Sequence, residues 1–270
     1  VSEIAIRKCA GYAGAEIAGV DLANLSDKAF ATVRAALFEH GVIFFRDQEL
    51  SPEHHIALAE RFGKIDINRF FKAVEGYPQI AEVRTEPDQR KVIGDIWHSD
   101  HSYDPAPAMA SILVARELPP FGGDTLFASA TAAYRHLSDG LRETLEGLSA
   151  WHSDGSFANF VKDGRISDEG ITKPNLHPMV IRHPATGEKA LFVNRDFTLR
   201  IDGWTDEESK PLLNYLYDFI TRPAFTCRFQ WAPGSVAMWD NRLVQHYAIA
   251  DYHGQRRLMH RITLEGVPLS

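Results

Sequence analysis

The feature that most constrains this chain is a series of short strand-like segments cut by Pro and Gly turns. Ala15 to Val20, Gln79 to Arg84, Ile96 to Ser102, Ala110 to Ala115 and Asp124 to Ala128 read as strands. So do Met179 to Arg182, Ala190 to Val193, Phe225 to Trp231, Ser235 to Trp239 and Arg257 to Leu264, with Val42 to Phe45 as a buried one. Many short strands point to a sandwich or barrel. Helical patterns lie before and between the strands and do not alternate with each, which disfavours a doubly wound α/β fold. The expected class is mainly β with flanking helices (α+β).

The helices have legible ends. Ser26 caps one that runs to about His40, with Gly41 as its stop and Phe30, Val33, Leu37 and Phe38 on its apolar face. Ser51, Pro52 and Gly63 repeat that grammar. Ser129 to about Glu146 predicts two short helices broken near Gly140. Thr205 with Glu208 forms a capping-box pattern. Pro211 fits poorly six positions in, so a start at Ser209 is the expectation, with Pro223 ending the helix. From Ser153 to Asn175, Gly and charged residues predict a long mobile loop of the kind that serves as a lid.

Composition excludes several function classes. With 36 acidic and 29 basic residues the net charge is −7, against a nucleic-acid binder, which needs a concentrated basic face. A small anionic ligand held by one or two arginines remains compatible. No apolar run approaches the roughly 18 residues of a membrane span, and "VSEIAIRKCAG" lacks a signal peptide's apolar core. Cys9 and Cys227 are too few for a four-cysteine zinc site and read as reduced thiols of a cytoplasmic protein.

Twelve histidines remain to be explained. The sharpest local signal is "DIWHSDHSYD". Read as a strand, it puts His98, Asp100 and Ser102 on one face, so an imidazole and a carboxylate can hold one ion from the same side. That donor pair suits divalent iron better than a structural zinc. The second signal is "VAMWDNRLVQHYAIADYHGQRRLMHRITLEG". His246 follows a Trp-Asp-Asn turn. Arg257 and Arg261 share one face of the last strand, while Leu258, Ile262 and Leu264 share the other. Inside a barrel two arginines are costly without anions to pair with. Parity alone favours the plainer reading, a solvent-facing pair on an amphipathic strand. Joined, a His-x-Asp, a distant His and an Arg about ten residues beyond make the pattern of a facial triad with an oxoacid clamp.

On these residues the chain resembles the iron(II)/2-oxoglutarate-dependent dioxygenases of the TauD/TfdA type. The matching pieces are "GAEIAGVDL", "VIFFRDQ", "WHSD", "ELPPFGGDTLFAS", "WDNRLVQHYAIADY" and "QRRLMHRITL", from about Gly14 to Leu264. The resemblance implies one domain over residues 1–270 with a double-stranded β-helix (jelly roll). It implies His98, Asp100 and His246 as ligands of Fe(II), and Thr125 and Arg257 on the distal carboxylate of 2-oxoglutarate. Arg261 is then near both cosubstrate and substrate, and Tyr103 lines the substrate pocket. The implied reaction consumes O2, hydroxylates a substrate and releases succinate and CO2. Dimers and tetramers are common in that family, and no patch here specifies one.

Within the family the substrate is open. Asn68 stands where taurine dioxygenases carry a sulfonate-binding His, and Gly94 where they carry an Asn. "EGYP", "VIGD" and "TDEESKPLL" look closer to phenoxypropionate dioxygenases. The expectation is a small organic acid, aryloxyalkanoate-like or similar, whose anionic group meets Arg261 and whose body lies against Phe70, Phe71 and Tyr103. A taurine or alkylsulfonate substrate is the alternative. Other histidines fail the parity or spacing test. A metal-free jelly-roll binding protein is the rival of another class. No H-E-x-x-H or G-x-S-x-G occurs to support a hydrolase, and Asp100 argues against a halogenase, which needs a small residue there.

Overall fold

The computed structural model describes residues 3–162, 164 and 172–270. Its centre is two facing sheets. The larger runs in the order Ala5–Lys8, Ala15–Ala18, Val42–Phe45, Val236–Asp240, Ala110–Glu117, Arg257–Leu264, Tyr77–Thr85, Ala73–Val74, with Ile65–Asp66 also pairing the last strand. All these pairings are antiparallel except Ala15–Ala18 with Val42–Phe45. The smaller sheet is Thr226–Phe229, Thr125–Ser129 and Val244–Ala248.

Alternation places one apolar set between the sheets. Phe44 stacks on Phe229 at 4.1 Å, and Phe127 meets Trp239 at 5.6 Å. Leu113, Val244 and Met259 complete that layer. The opposite face of the large sheet is covered by the helices Asp27–His40 and Pro52–Phe62. Both start as the sequence predicts, with Ser26 and Ser51 accepting from the N–H groups of Ala29 and His54. Gly41 ends the first with φ 72°, and a Cβ there would lie 2.6 Å from Val244. Only glycine fits both constraints.

Three readings are corrected. The break between Ala130–His136 and Asp139–Glu146 falls at Leu137 and Ser138, not at Gly140. The long helix starts at Asp206, not Ser209. Its reciprocal Thr205–Glu208 box and three acidic residues in the first turn stabilise the start. The carbonyl that Pro211 leaves without a donor belongs to exposed Glu207, where water can serve it. Ile96 to Ser102 is not a strand. His98 makes one isolated antiparallel bridge to His246, and the chain then turns. His101, at φ 55°, marks that turn.

The expected lid falls partly outside the described residues, at 163 and 165–171. Its described flank begins with a helical turn at Gly155–Phe157 and the helix Ala158–Lys162. No helix among the described residues is long and apolar enough to cross a membrane.

Burial predicts acid lability. His55 and His152 are fully buried, and burial first, then neighbouring cations or histidine, pushes both rings down to about 3 from 6.5. Below about 6.5 the unfolded chain binds protons that the folded chain refuses. Stability is therefore full above that value and lost as pH falls toward 3, by up to about 1.4 kcal/mol per pH unit for each ring. His101, raised overall by Asp104 and Asp66 against the cost of its burial, runs the other way. Melting of the metal-free chain should be level down to about pH 6.5 and fall steadily from there to 4.5. A flat profile across that range would contradict this account.

Candidate active site

The two strongest sequence signals meet between the sheets. His98 N–H donates to His246 O at 3.1 Å, and His246 N–H returns a bond to His98 O at 2.8 Å. This clips the 98–100 turn to the edge of the strand Val244–Ala248. One donor atom each from His98, Asp100 and His246 lies within 4.8 Å of the others. All three residues are buried. His98 Nδ1 is 2.7 Å from Ile96 O, which leaves Nε2 as the lone-pair nitrogen. That nitrogen is 3.8 Å from Asp100 Oδ1.

The electrostatics keep Asp100 and His246 in ligand form. Burial alone would raise the Asp100 carboxyl, but Arg261, His246 and His98 outweigh it and hold it below the carboxylate range. Burial and then His98 push His246 well below 6.5, so it stays neutral. Two imidazoles and one carboxylate are the donor set of a facial iron(II) site with open positions. His246 Nδ1, Arg257 Nε and Arg261 Nε are buried without hydrogen-bond partners among the described residues. The site is therefore built to receive further groups, and the residues fit an iron and an anionic cosubstrate.

Both arginines point inward, so the solvent-facing alternative is excluded. Arg257 and Arg261 are only 5% and 8% exposed. Arg261 Nη1 donates to Asp100 Oδ1 at 3.0 Å, and its guanidinium lies 5.0 Å from the Phe71 ring centre. Arg257 has no ion pair among the described residues. Its guanidinium faces the rings of Trp231 at 5.8 Å and Tyr252 at 6.0 Å. It lines one cavity with Thr125, His98, His246 and Arg261. A buried guanidinium without a carboxylate is costly unless an anion arrives to pair with it.

A second small cavity joins the first at His98, Gly94, Phe71 and Arg261. Phe70, Tyr103 and Phe197 form part of its wall. Asn68 is not among the lining residues of either cavity. Its Oδ1 accepts from the N–H groups of Phe70 and Phe71, both at 2.9 Å. That turn holds the Oδ1 end of the side chain, and its Nδ2 lies 3.5 Å from Nε2 of His101, which lines the second cavity. Gly94, at φ 90°, leaves open the space beside His98, where a Cβ would stand 3.3 Å from the ring. A surface cleft of about 620 Å³ near Tyr12 and Arg135 gathers none of these groups.

Some site residues escaped the sequence reading. Trp231 Nε1 donates to Thr125 Oγ1 at 3.0 Å, orienting that hydroxyl. Asp196 lines the second cavity. Ser111 and Asn241 contact Asp100. The one available signal was Ser111 itself, a hydroxyl inside an apolar strand.

Residues 5–263 match the family model described as taurine catabolism dioxygenase TauD, TfdA family. The chain belongs to that family. An alkylsulfatase of Acinetobacter baylyi is 36% identical over 278 residues, covering 98% of this chain and 86% of that protein. An (S)-phenoxypropionate/alpha-ketoglutarate-dioxygenase of Sphingobium herbicidovorans is 34% identical over 270 residues, covering 95% and 93%. Among solved structures, AAD-2 in complex with Mn(II) and N-oxalylglycine is similar with a TM-score of 0.84 at 29% identity, over 98% of each chain. This TauD/TfdA member is an iron(II)- and 2-oxoglutarate-dependent dioxygenase with the jelly-roll fold.

Proposed function

We propose that the whole chain acts as one dioxygenase domain that hydroxylates a small organic anion with an apolar, aryl-accommodating body. His98, Asp100 and His246 would hold the iron. Thr125 and Arg257 would hold the distal carboxylate of 2-oxoglutarate, and Arg261 the acidic group of the substrate. Bound there, iron and cosubstrate supply the oxidising chemistry: 2-oxoglutarate is converted to succinate and CO2, and one oxygen atom of O2 enters a substrate C–H bond.

The observation that carries this reading is the position of Arg261. It touches the metal-binding carboxylate on one side and the Phe71 ring on the other, at the junction of the two cavities. An acid gripped there puts its carbon next to the metal centre. Phe70, Phe71, Tyr103 and Phe197 offer the body an apolar wall and exclude water from the reacting bond. The relatives named for sulfate-ester and phenoxypropionate chemistry support an anion with such a body. An Asn at position 68, its Oδ1 held by the Phe70 and Phe71 N–H groups, and the bare Gly94 speak against a taurine-specific pocket.

Iron-loaded protein supplied with 2-oxoglutarate and oxygen should release succinate fastest with phenoxyalkanoates or alkyl sulfates, read with product mass. Phe71→Ala should raise KM for aryl acids by about tenfold, since it removes a large, partly buried aromatic wall of the cavity. Stimulation by taurine alone, with phenoxyalkanoates and alkyl sulfates inert, would overturn the substrate class and leave the reaction class standing.

A further inference from the structure

Asp100 is held at both oxygens. Oδ1 faces His98 Nε2 and accepts from Arg261. Oδ2 accepts from the Ser111 hydroxyl at 2.7 Å. Ser111 Oγ in turn accepts from Asn241 Nδ2 at 3.2 Å. Asn241 Oδ1 accepts from the Asp100 N–H at 3.2 Å and from Trp239 Nε1 at 2.8 Å. Ser111, Asn241 and Trp239 are all buried, so water does not substitute for any member.

The chain of bonds has a fixed direction. Two N–H donors converge on one end of the Asn241 amide, so that end is the oxygen and the other is the NH2. The NH2 donates to Ser111. A hydroxyl whose oxygen is already accepting has one hydrogen to give, and here it goes to Asp100 Oδ2. A backbone N–H and an indole thus decide which carboxylate oxygen is tied down.

We infer that Ser111 and Asn241 are positioning residues that keep Asp100 a one-oxygen ligand. The inference rests on the proposed role of Asp100 toward iron. With Oδ2 tied, Oδ1 on the His98 side is the oxygen left for the metal. Carboxylates released from such a bond can bind metal through both oxygens. A second oxygen would take one of the three positions that a facial triad leaves open, and a chelating 2-oxo acid needs two of them. Loss of the hydroxyl then weakens metal binding and also obstructs the cosubstrate.

The test is Co(II) titrated into the metal-free full chain, followed by visible absorption and then by anaerobic addition of 2-oxoglutarate. Ser111→Ala should raise the cobalt dissociation constant by about 10- to 100-fold. It should also alter the absorption bands and weaken 2-oxoglutarate binding to the cobalt form. Ser111→Thr, which keeps the hydroxyl, should restore the wild-type bands. Asn241→Asp nearly preserves volume but pulls the Ser111 hydrogen away from Asp100, so it should show the Ser111→Ala bands. A purely structural role would shift melting temperature and leave the bands alone. Folded Ser111→Ala or Asn241→Asp protein with wild-type bands and wild-type 2-oxoglutarate affinity overturns the inference. Should Ser111→Ala not fold, Asn241→Asp decides in the same terms. A wild-type cobalt spectrum indifferent to Asp100→Ala would instead overturn the ligand reading itself.

Discussion

A His246→Ala variant is expected to lose 2-oxoglutarate turnover and to bind iron far more weakly than the parent chain. The variant removes one of only three donors in a buried site, and no other His, Cys, Asp or Glu among the described residues joins that cluster. Outer-sphere partners of metal ligands are typically worth 10- to 100-fold in metal affinity, so losing a ligand should exceed about 100-fold. The fold should survive. His246 contributes to the strand pairing through its backbone, which bonds to His98 in both directions and which alanine retains. Metal titration with melting measured alongside checks both halves. A folded variant that keeps iron affinity and succinate release within about threefold of wild type would remove His246 from the ligand set.

Arg257→Ala should separate cosubstrate from metal. The buried guanidinium has no acidic partner among the described residues, and it lies with Thr125 on the wall of the cavity next to the metal cluster. Truncating one side of a buried, hydrogen-bonded charge pair costs on the order of 2–5 kcal/mol. That is roughly 30-fold to several thousandfold in the dissociation constant of 2-oxoglutarate. Metal affinity without cosubstrate should stay near wild type. The ligand-free variant should melt at or above the wild-type temperature, because it no longer buries an unpaired charge. Arg257→Lys should fall between, since an ammonium offers no planar fork to a carboxylate. Unchanged 2-oxoglutarate affinity in Arg257→Ala would place the distal carboxylate elsewhere.

Much of the fold was legible because its signals are local. Serine caps, Pro52 at a first helical position and Gly41 at a helix end depend on neighbours a few residues away. The final strand was legible too, with Arg257 and Arg261 on one side and His260, paired with Arg116, on the other. What failed depended on partners distant in sequence. Ile96 to Ser102 alternates like a strand, yet it has only the edge at His246 to pair with, so it bridges once and turns.

The sequence by itself determined the reaction class and the residues available as metal donors. Residue identities such as His98, Asp100, His246 and Arg257 specify chemistry wherever the chain carries them, and their order along it is the family's order. Only the tertiary structure decided how those residues meet. His98 and Asp100 converge through a turn, Ser111 ties down one carboxylate oxygen and Arg261 the other, and both arginines are sealed between sheets. The physical reason is the reach of the forces. Ligand chemistry resides in one side chain, whereas hydrogen-bond direction and burial are settled by atoms far apart in the chain, 161 residues in the case of Arg261 and Asp100.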